Sequence, residues 1–292
     1  MTTQRTSRFR RAARTLVSLV AVVGMVAACG DPAALEATPA AGPHLITHDG
    51  HRLAFHVTAG HSPTVVLDAG GGEDSSYWDA LVAQLSRATG SRIVTYDRAG
   101  MGASDEVPGP WDGRAAASDL QAGLRELGVT RDVVLVSHSQ AGEVATYFVR
   151  ANPGVVAGAV LVDANLPPFF TDPQIQRIVA VTEPQIEALG KQPSTKENRQ
   201  LIATAANFGP THQAYHELSW PDGLPATVIV SEKTPFDGSP EDAQRWRDAA
   251  ATFVAAGPGR TLVTARGSSH DVPKDDPALV LDHIERMAAT AR

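Results

Sequence analysis

The sequence has little of several features that would restrict its function. One cysteine, Cys29, occurs among 292 residues, so no intrachain disulfide can form. Aromatic residues make up only 5% of the chain, but hydrophobic residues make up 43% and charged residues 20%. That balance is typical of a globular protein rather than a disordered one. The length suits one large domain with a single core.

Positive charge is also scarce once the first residues are set aside. The net charge is −7, and residues 1–28 contain five arginines and no acidic residue, so the rest of the chain carries −12. Nucleic-acid phosphates need a basic surface, which this charge argues against. Electrostatic binding to anionic lipid headgroups is disfavoured for the same reason. No nucleic-acid partner is therefore expected.

The N-terminus has the pattern of an export signal. A basic segment precedes an uncharged run, Thr15–Ala28, which is shorter than the roughly 20 residues of a spanning helix. The run ends in Val26-Ala27-Ala28-Cys29, which resembles the lipobox of bacterial lipoproteins. The resemblance implies cleavage of a 1–28 signal peptide, lipidation of Cys29, and anchoring at the outer face of the bacterial cell membrane. An ordinary export signal with a chance cysteine is the alternative, and the export route, Sec or Tat, stays open.

The rest of the chain is predicted to form a short tether and one domain. Residues 29–43 are rich in Ala and Pro and read as a flexible tether. From residue 44 to 292, strand and helix patterns alternate, which predicts an α/β class with a mostly parallel sheet covered by helices on both faces. An Asp49-Gly50 turn predicts an initial hairpin. Residues 166–223 contain helical patterns without a convincing strand, which predicts a helical cap inserted after strand 6.

Ser139 has the surroundings of an activated nucleophile. It follows a strand predicted at 132–136 and precedes a helix predicted at 143–150. A serine hydroxyl is weakly nucleophilic at neutral pH and needs a positioned base and donors for the developing oxyanion. In a Gly-x-Ser-x-Gly turn the flanking residues are small because strand and helix pass close together. Here the flanks are Ser137 and Ala141, which are small but are not glycines.

Three motifs resemble those of the α/β-hydrolase family, in the order and at the strand ends that the family uses. They are Asp97-Arg98-Ala99-Gly100-Met101-Gly102-Ala103-Ser104, the turn from Ser137 to Gly142, and Gly267-Ser268-Ser269-His270. The resemblance covers residues from about 44 to the C-terminus and implies an α/β-hydrolase fold. It also implies that Ser139 is the catalytic nucleophile and that His270 is its general base. No metal and no organic cofactor are implied.

The acid partner of His270 has two main candidates. Asp163 ends the sixth predicted strand, and Asp237 lies in the loop after the seventh, where this fold usually carries its acid. Glu232, directly after the seventh strand, comes rather early for that role. We favour Asp163 and keep Asp237 as the alternative. Either carboxylate would have to accept the second imidazole N–H and fix the tautomer.

The resemblance also implies an oxyanion hole made of backbone amides. One donor is the residue after the nucleophile, Gln140, and the other follows the third strand at Gly70, with Gly71 close behind. Relatives have a histidine where this chain has Asp68. His138 is expected to orient the turn or to line the pocket.

These observations predict a serine hydrolase that cleaves an ester or related acyl bond of a small molecule through a Ser139–His270–Asp163 triad and an acyl-enzyme. The cap is expected to set the substrate, with four aromatic residues that either line a pocket or pack the cap onto the core: Phe169, Phe170, Tyr215 and Trp220. Amidase, peptidase or cofactor-free haloperoxidase activity stays open, as does a non-catalytic binding lipoprotein with a degenerate hydrolase fold. A dinucleotide-binding unit at 70–97 is disfavoured because Ser75 stands where its third glycine belongs. The oligomeric state is left open.

Overall fold

The computed structural model describes residues 42–236 and 238–291. Within these ranges strands and helices alternate along the chain as the sequence predicts. The strands are β1 His44–His48, β2 His51–Thr58, β3 His61–Asp68, β4 Ser91–Asp97, β5 Val133–His138, β6 Val156–Val162, β7 Ala226–Ser231 and β8 Arg260–Ala265. The helices are α1 Asp79–Thr89, α2 Gly113–Glu126, α3 Ala141–Ala151, α4 Asp172–Leu189, α5 Lys196–Ala206, α6 Phe208–His216, α7 Pro240–Ala255, α8 Val272–Asp275 and α9 Pro277–Thr290.

The strands form one eight-stranded sheet in the order β1-β2-β4-β3-β5-β6-β7-β8. Only β1 with β2 and β2 with β4 pair antiparallel, and every later pair from β4 to β8 is parallel. The mostly parallel sheet predicted from the sequence is confirmed. Because parallel strands point the same way, the residues that follow β3, β5, β6 and β7 lie along one edge of the sheet.

Helices cover both faces of this sheet. On one face α2, α3 and α7 pack against alternate strand residues such as Val133 and Leu135. On the other face α1 and α9 pack against the intervening residues, Val134 and Val136. Both faces of β5 are therefore buried and apolar, which is typical of a central parallel strand. The antiparallel hairpin turns at Asp49 and Gly50, with φ values of 44° and 82°, the two left-handed residues that a two-residue turn requires.

Between β6 and β7 the chain forms a short 3-10 turn, Pro167–Phe169, and then α4, α5 and α6. Two side chains fix α5 to the loop after β4. Lys196 Nζ donates to the carbonyl of Gly102 over 3.0 Å, and Arg199 pairs with Glu106. These contacts hold the helical segment over the carboxyl edge of the sheet.

No helix in the described ranges is long and apolar enough to cross a membrane. The predicted signal peptide, the lipidation site Cys29 and all but the last two residues of the predicted tether lie outside the described residues.

Candidate functional site

Ser139 occupies a sharp turn between β5 and α3. Its backbone φ is 53°, a left-handed conformation that is uncommon for a residue with a side chain. The carbonyl of Ser139 accepts hydrogen bonds from the amides of Gly142 at 3.0 Å and Asn165 at 2.8 Å. These bonds hold the strained residue in place, as expected at functional positions where the surroundings determine an unusual conformation.

The turn tolerates only small residues where the helix begins. A Cβ atom on Gly142 would lie 2.3 Å from the carbonyl oxygen of Asn165, so a larger residue would displace the backbone. Ser137 and Ala141, the flanks that depart from glycine, are both fully buried. Their small side chains meet the steric requirement of the turn without glycine.

His270 brings the predicted nucleophile and one predicted acid together. Its Nε2 lies 2.8 Å from Ser139 Oγ, and its Nδ1 lies 2.6 Å from Asp163 Oδ2. The three side chains come from the ends of β5, β6 and β8, and they form one continuous hydrogen-bonded chain. Asp237 lies outside the described residues. Glu232 accepts the amide of Gly267 at 2.5 Å, a contact that ties the end of β7 to the histidine loop.

The Asp163 carboxylate is fully buried and accepts more than the imidazole. Ser231 donates its amide at 2.9 Å and its hydroxyl at 2.6 Å, and the Trp246 indole donates at 2.8 Å. Burial alone would raise the pKa of Asp163, but the hydrogen bonds from His270 and Ser231 outweigh it and hold the pKa below its ordinary value. Ser231 and Trp246 were not predicted, because no sequence signal relates them to a strand end 68 and 83 residues away.

The two predicted oxyanion donors flank Ser139. Gln140 follows it at the start of α3, where the helix dipole adds partial positive charge. Gly70 lies on the opposite side, and a Cβ atom there would be 3.4 Å from Ser139 Cβ and 3.0 Å from His138 Nδ1. A side chain at position 70 would crowd His138, so glycine lets the loop after β3 pass close to Ser139.

Asp68, which replaces the histidine of relatives, has a structural role in the loop after β3. Its buried carboxylate accepts Arg98 at 2.5 Å and the Tyr96 hydroxyl at 2.8 Å. The Arg98 guanidinium also donates to the carbonyls of Ala69 and Gly70. The buried ion pair therefore fixes the backbone of the segment that carries the Gly70 amide.

The rest of the motif that begins at Asp97 joins loops. The Asp97 carboxylate accepts the amides of Ser75 and Ala103, each at 2.8 Å. A Cβ on Gly102 would lie 2.2 Å from that carboxylate, so glycine is required there. The motif thus ties the loop after β4 to the segment that precedes α1.

Comparison with known proteins agrees with this architecture. Residues 65–283 match the Alpha/beta hydrolase family. The chain belongs to the alpha/beta hydrolase family. Among solved structures, this alpha/beta hydrolase is similar to an esterase from Exiguobacterium antarcticum, with a TM-score of 0.63 and 18% identity over 85% of this chain and 100% of that one. It is also similar to an enol-lactonase from Burkholderia xenovorans, with a TM-score of 0.58 and 16% identity over 84% and 99%. At such identities the likeness concerns the fold.

Curated relatives are similar over different shares of their length. An uncharacterized protein, Rv2715, from Mycobacterium tuberculosis is 32% identical over 84% of this chain and 80% of its own. A non-heme haloperoxidase from Rhodococcus erythropolis is 36% identical over 44% of this chain and 46% of its own. A probable transporter, efuK, from Hormonema carpetanum is 28% identical over 68% of this chain, which spans only 27% of that protein.

The alpha/beta hydrolase has a pocket of about 140 Å³ beside Ser139 and His270. Five aromatic side chains form much of its wall, and they are Phe169, Phe170, Phe208, Phe236 and Trp246. Ile178, Pro235 and Asn165 complete it. Of the four aromatic residues singled out in the cap, Phe169 and Phe170 line this pocket and are also packed into the core.

The other two aromatic residues serve packing. The Tyr215 hydroxyl donates to the carbonyl of Asn165 at 2.9 Å, and its ring is fully buried. The Trp220 ring packs edge-on against Phe253, at 5.8 Å between centroids. Neither lines the pocket beside Ser139.

Glu143 is a site residue that the sequence did not indicate. It is fully buried in the first turn of α3, and its Oε1 accepts Asn165 Nδ2 at 2.5 Å. The same oxygen lies 3.1 Å from His212 Nε2, while His212 Nδ1 lies 2.7 Å from the carbonyl of Phe208. Both partners of the imidazole are acceptors, so His212 links Glu143 to the carbonyl of Phe208 and joins α3 to α6 through a buried hydrogen-bonded pair.

His138 supports the histidine loop. Its Nε2 donates to the carbonyl of His270 at 3.0 Å, and its ring stacks on Tyr77 at 5.0 Å between centroids. Burial, and then the proximity of His270, lower the pKa of His138 to about 3. The ring is therefore neutral at ordinary pH and braces the backbone of His270.

His48 and His51, which flank the hairpin turn, are partly buried against α2. His48 Nε2 lies 3.0 Å from Ser118 Oγ, and His51 Nε2 lies 3.0 Å from Asp119 Oδ1. The hairpin turn folds back onto α2 and places both rings against that helix.

The lowered pKa of Asp163 predicts a pH-dependent contribution to stability. A carboxyl whose pKa is lower in the folded than in the unfolded state stabilises the fold above the unfolded value, about 4, and loses that contribution as the pH falls through the folded value. We expect the melting temperature of Asp163→Asn to lie below that of wild type near pH 7. The difference in melting temperature between wild type and Asp163→Asn should become smaller below about pH 4.

Thermal melts between pH 2.5 and 8 measure this difference. Asp282→Asn, which removes an exposed carboxylate on α9, controls for the loss of one surface charge. A constant gap between wild type and Asp163→Asn across the whole range would contradict the prediction.

Proposed function

We propose that this protein is a serine hydrolase that cleaves an ester or a related acyl bond. The observation that carries the proposal is the continuous chain from Asp163 through His270 to Ser139, with contacts of 2.6 and 2.8 Å. A serine hydroxyl in hydrogen-bond contact with an imidazole, itself oriented by a buried carboxylate, is the arrangement that nucleophilic acyl transfer requires.

In the proposed reaction, Ser139 Oγ attacks the carbonyl carbon of the substrate while His270 Nε2 takes the hydroxyl proton. The carbonyl oxygen gains negative charge and receives hydrogen bonds from the amides of Gln140 and Gly70. When the tetrahedral intermediate collapses, His270 gives its proton to the leaving oxygen and an acyl-enzyme remains. Water then attacks the acyl group while His270 takes one of its protons. As the second tetrahedral intermediate collapses, His270 gives that proton to Ser139 Oγ, which releases the acid and restores the serine hydroxyl.

Asp163 suits the third position because it stays ionised. The donors from Ser231 and Trp246 stabilise the carboxylate independently of His270. The carboxylate can therefore keep a hydrogen on His270 Nδ1 and stabilise the imidazolium that forms during attack. The hydrogen bond from Trp246 also fixes the direction in which the carboxylate points.

The arrangement predicts that a small fluorophosphonate probe labels the protein on Ser139. Ser139→Ala should abolish labelling because the nucleophile is gone, and His270→Ala should slow it by several orders of magnitude. Intact-protein mass spectrometry measures the adduct. Thr146→Ser, a buried change on α3 outside the hydrogen-bonded chain, is the control for folding. A wild-type protein that is folded but not labelled would favour a non-catalytic binding protein.

The choice of acid can be tested by comparing two substitutions. Asp163→Asn should lower kcat on a reactive ester by about 10⁴-fold, because an asparagine amide favours the wrong tautomer of His270. Asp237→Asn should leave kcat within a few-fold of wild type. Steady-state turnover of p-nitrophenyl acetate measures both, and a larger loss in Asp237→Asn would reassign the acid.

The proposal includes export and lipid attachment at Cys29, supported by the basic segment, the uncharged run and the Val26–Cys29 motif. In a bacterial host, the full chain should incorporate labelled palmitate and fractionate with membranes, because acyl chains confer the attachment. Cys29→Ala should remove both properties. Retention of membrane attachment in Cys29→Ala would contradict lipidation at this residue.

A further inference from the structure

We propose that the substrate carries a compact, uncharged group of about the size of a benzene ring, which binds in the aromatic pocket beside Ser139. This inference rests on the proposed function, because it concerns the substrate of the same site. It predicts that long-chain fatty esters, and esters whose pocket-bound group is ionised, react more slowly than esters with such an uncharged group. Three features of the pocket support the inference: its size, the chemistry of its walls and the contacts that hold those walls.

The size of the pocket indicates which group fits beside the serine. Its volume is about 140 Å³. For scale, an apolar protein cavity of about 150 Å³ binds benzene. One ring or a short branched chain would fill the space next to the serine, and a long alkyl chain would have to extend out of it.

The chemistry of the walls excludes charge. Among the described residues that line the pocket, none is an aspartate, glutamate, lysine or arginine. Each of its polar side chains already makes a hydrogen bond within the protein. Ser139 and His270 bind each other, and Asn165 Nδ2 donates to Glu143. An ionised group placed against these walls would give up part of its hydration without gaining a counter-charge, which is unfavourable.

Ring contacts and a buried pair also hold part of the wall in place, so the pocket should keep this size. Phe169 packs edge-on against Trp246 at 4.8 Å between centroids and lies 5.2 Å from Phe236. Phe170 lies 4.2 Å from the His212 ring, which the buried Glu143 holds through its Nε2. Widening the pocket would separate these rings or break the Glu143–His212 pair, and close-packed interiors resist such changes.

The pocket borders both Ser139 and His270, so the bound group can belong to the acyl side or to the alcohol side of the ester. The shared chemistry is the uncharged ring, and matched substrates distinguish the two sources. Methyl phenylacetate carries the ring on the acyl side, and benzyl acetate carries it on the alcohol side. Methyl acetate lacks it, methyl laurate replaces it with a long chain, and 4-carboxybenzyl acetate adds a charge.

The test is kcat/KM for these five esters with the wild-type protein. We expect at least one ring-bearing ester to exceed methyl acetate by about tenfold or more, because filling an apolar pocket gains that much per one or two methylenes. Methyl laurate and, where benzyl acetate is preferred, 4-carboxybenzyl acetate should fall at least about tenfold below the preferred ester. Equal rates for short, aromatic and long-chain esters would overturn the proposal.

Ile178 offers a direct test of the pocket itself. Ile178 on α4 lines it, whereas the next residue, Val179, does not line it and is 41% exposed. Ile178→Phe should fill part of the pocket. The ratio of kcat/KM for the preferred ring-bearing ester to kcat/KM for methyl acetate should therefore fall by about tenfold. Ile178→Ala should enlarge the pocket and raise the relative rate on methyl laurate. Val179→Phe, the matched control, should leave every ratio unchanged.

Failure of this inference is distinguishable from failure of the proposed function. Probe labelling on Ser139 together with unselective ester turnover would overturn the substrate class alone. The absence of labelling and of all ester turnover would overturn both. If Ile178→Phe does not fold, as judged by its melting curve, Ile178→Ala and the wild-type panel still decide the question.

Discussion

The Asp163 carboxylate joins parts of the molecule that are far apart in the sequence. It accepts hydrogen bonds from the end of β7 through Ser231, from α7 through Trp246 and from the histidine loop through His270. A buried carboxylate without such donors would be protonated or would destabilise the fold. The donors can converge on Asp163 because β6, β7 and β8 are neighbours in the sheet. The distance between Ser139 and His270 depends on this convergence, because Asp163 holds the His270 ring.

A second buried charge organises the opposite side of the serine. Asp68 and Arg98 form an ion pair, and Arg98 uses its other donors for the carbonyls of Ala69 and Gly70. Asp163 therefore orients the imidazole, and the Asp68–Arg98 pair orients the backbone next to Ser139. Truncating either partner of a buried pair leaves an uncompensated charge, so the two halves of this edge are each sensitive to a single change.

The sequence was sufficient for the sheet, the order of its elements and the approximate position of the site. Runs such as Val133–Val136 and Val156–Val162 are apolar on both faces, and glycines, prolines and polar residues separate them. The family motifs then indicated Ser139 and His270, which the structure brings into contact, although their catalytic roles stay a prediction. The sequence favoured Asp163 but could not exclude Asp237, because the donors that surround the Asp163 carboxylate come from β7 and α7, far away in the chain. Glu143 and His212 were missed for the same reason, since 69 residues separate them and only the packing of α6 on α3 joins them.

The Glu143–His212 pair has a consequence for how the segment between β6 and β7 can change during evolution. Family members can differ in this segment most easily when it is an independent module that can be exchanged between proteins. Here α3 supplies the acceptor that faces His212, and α6 supplies a hydrogen-bond partner for the buried Glu143. If a segment without a partner for Glu143 replaced the one between β6 and β7, the buried carboxylate would lose that partner. If this segment were moved into a protein without Glu143, the buried His212 would lose its partner instead. The two parts of this chain are therefore expected to evolve as one unit, with Glu143 and His212 replaced together or not at all.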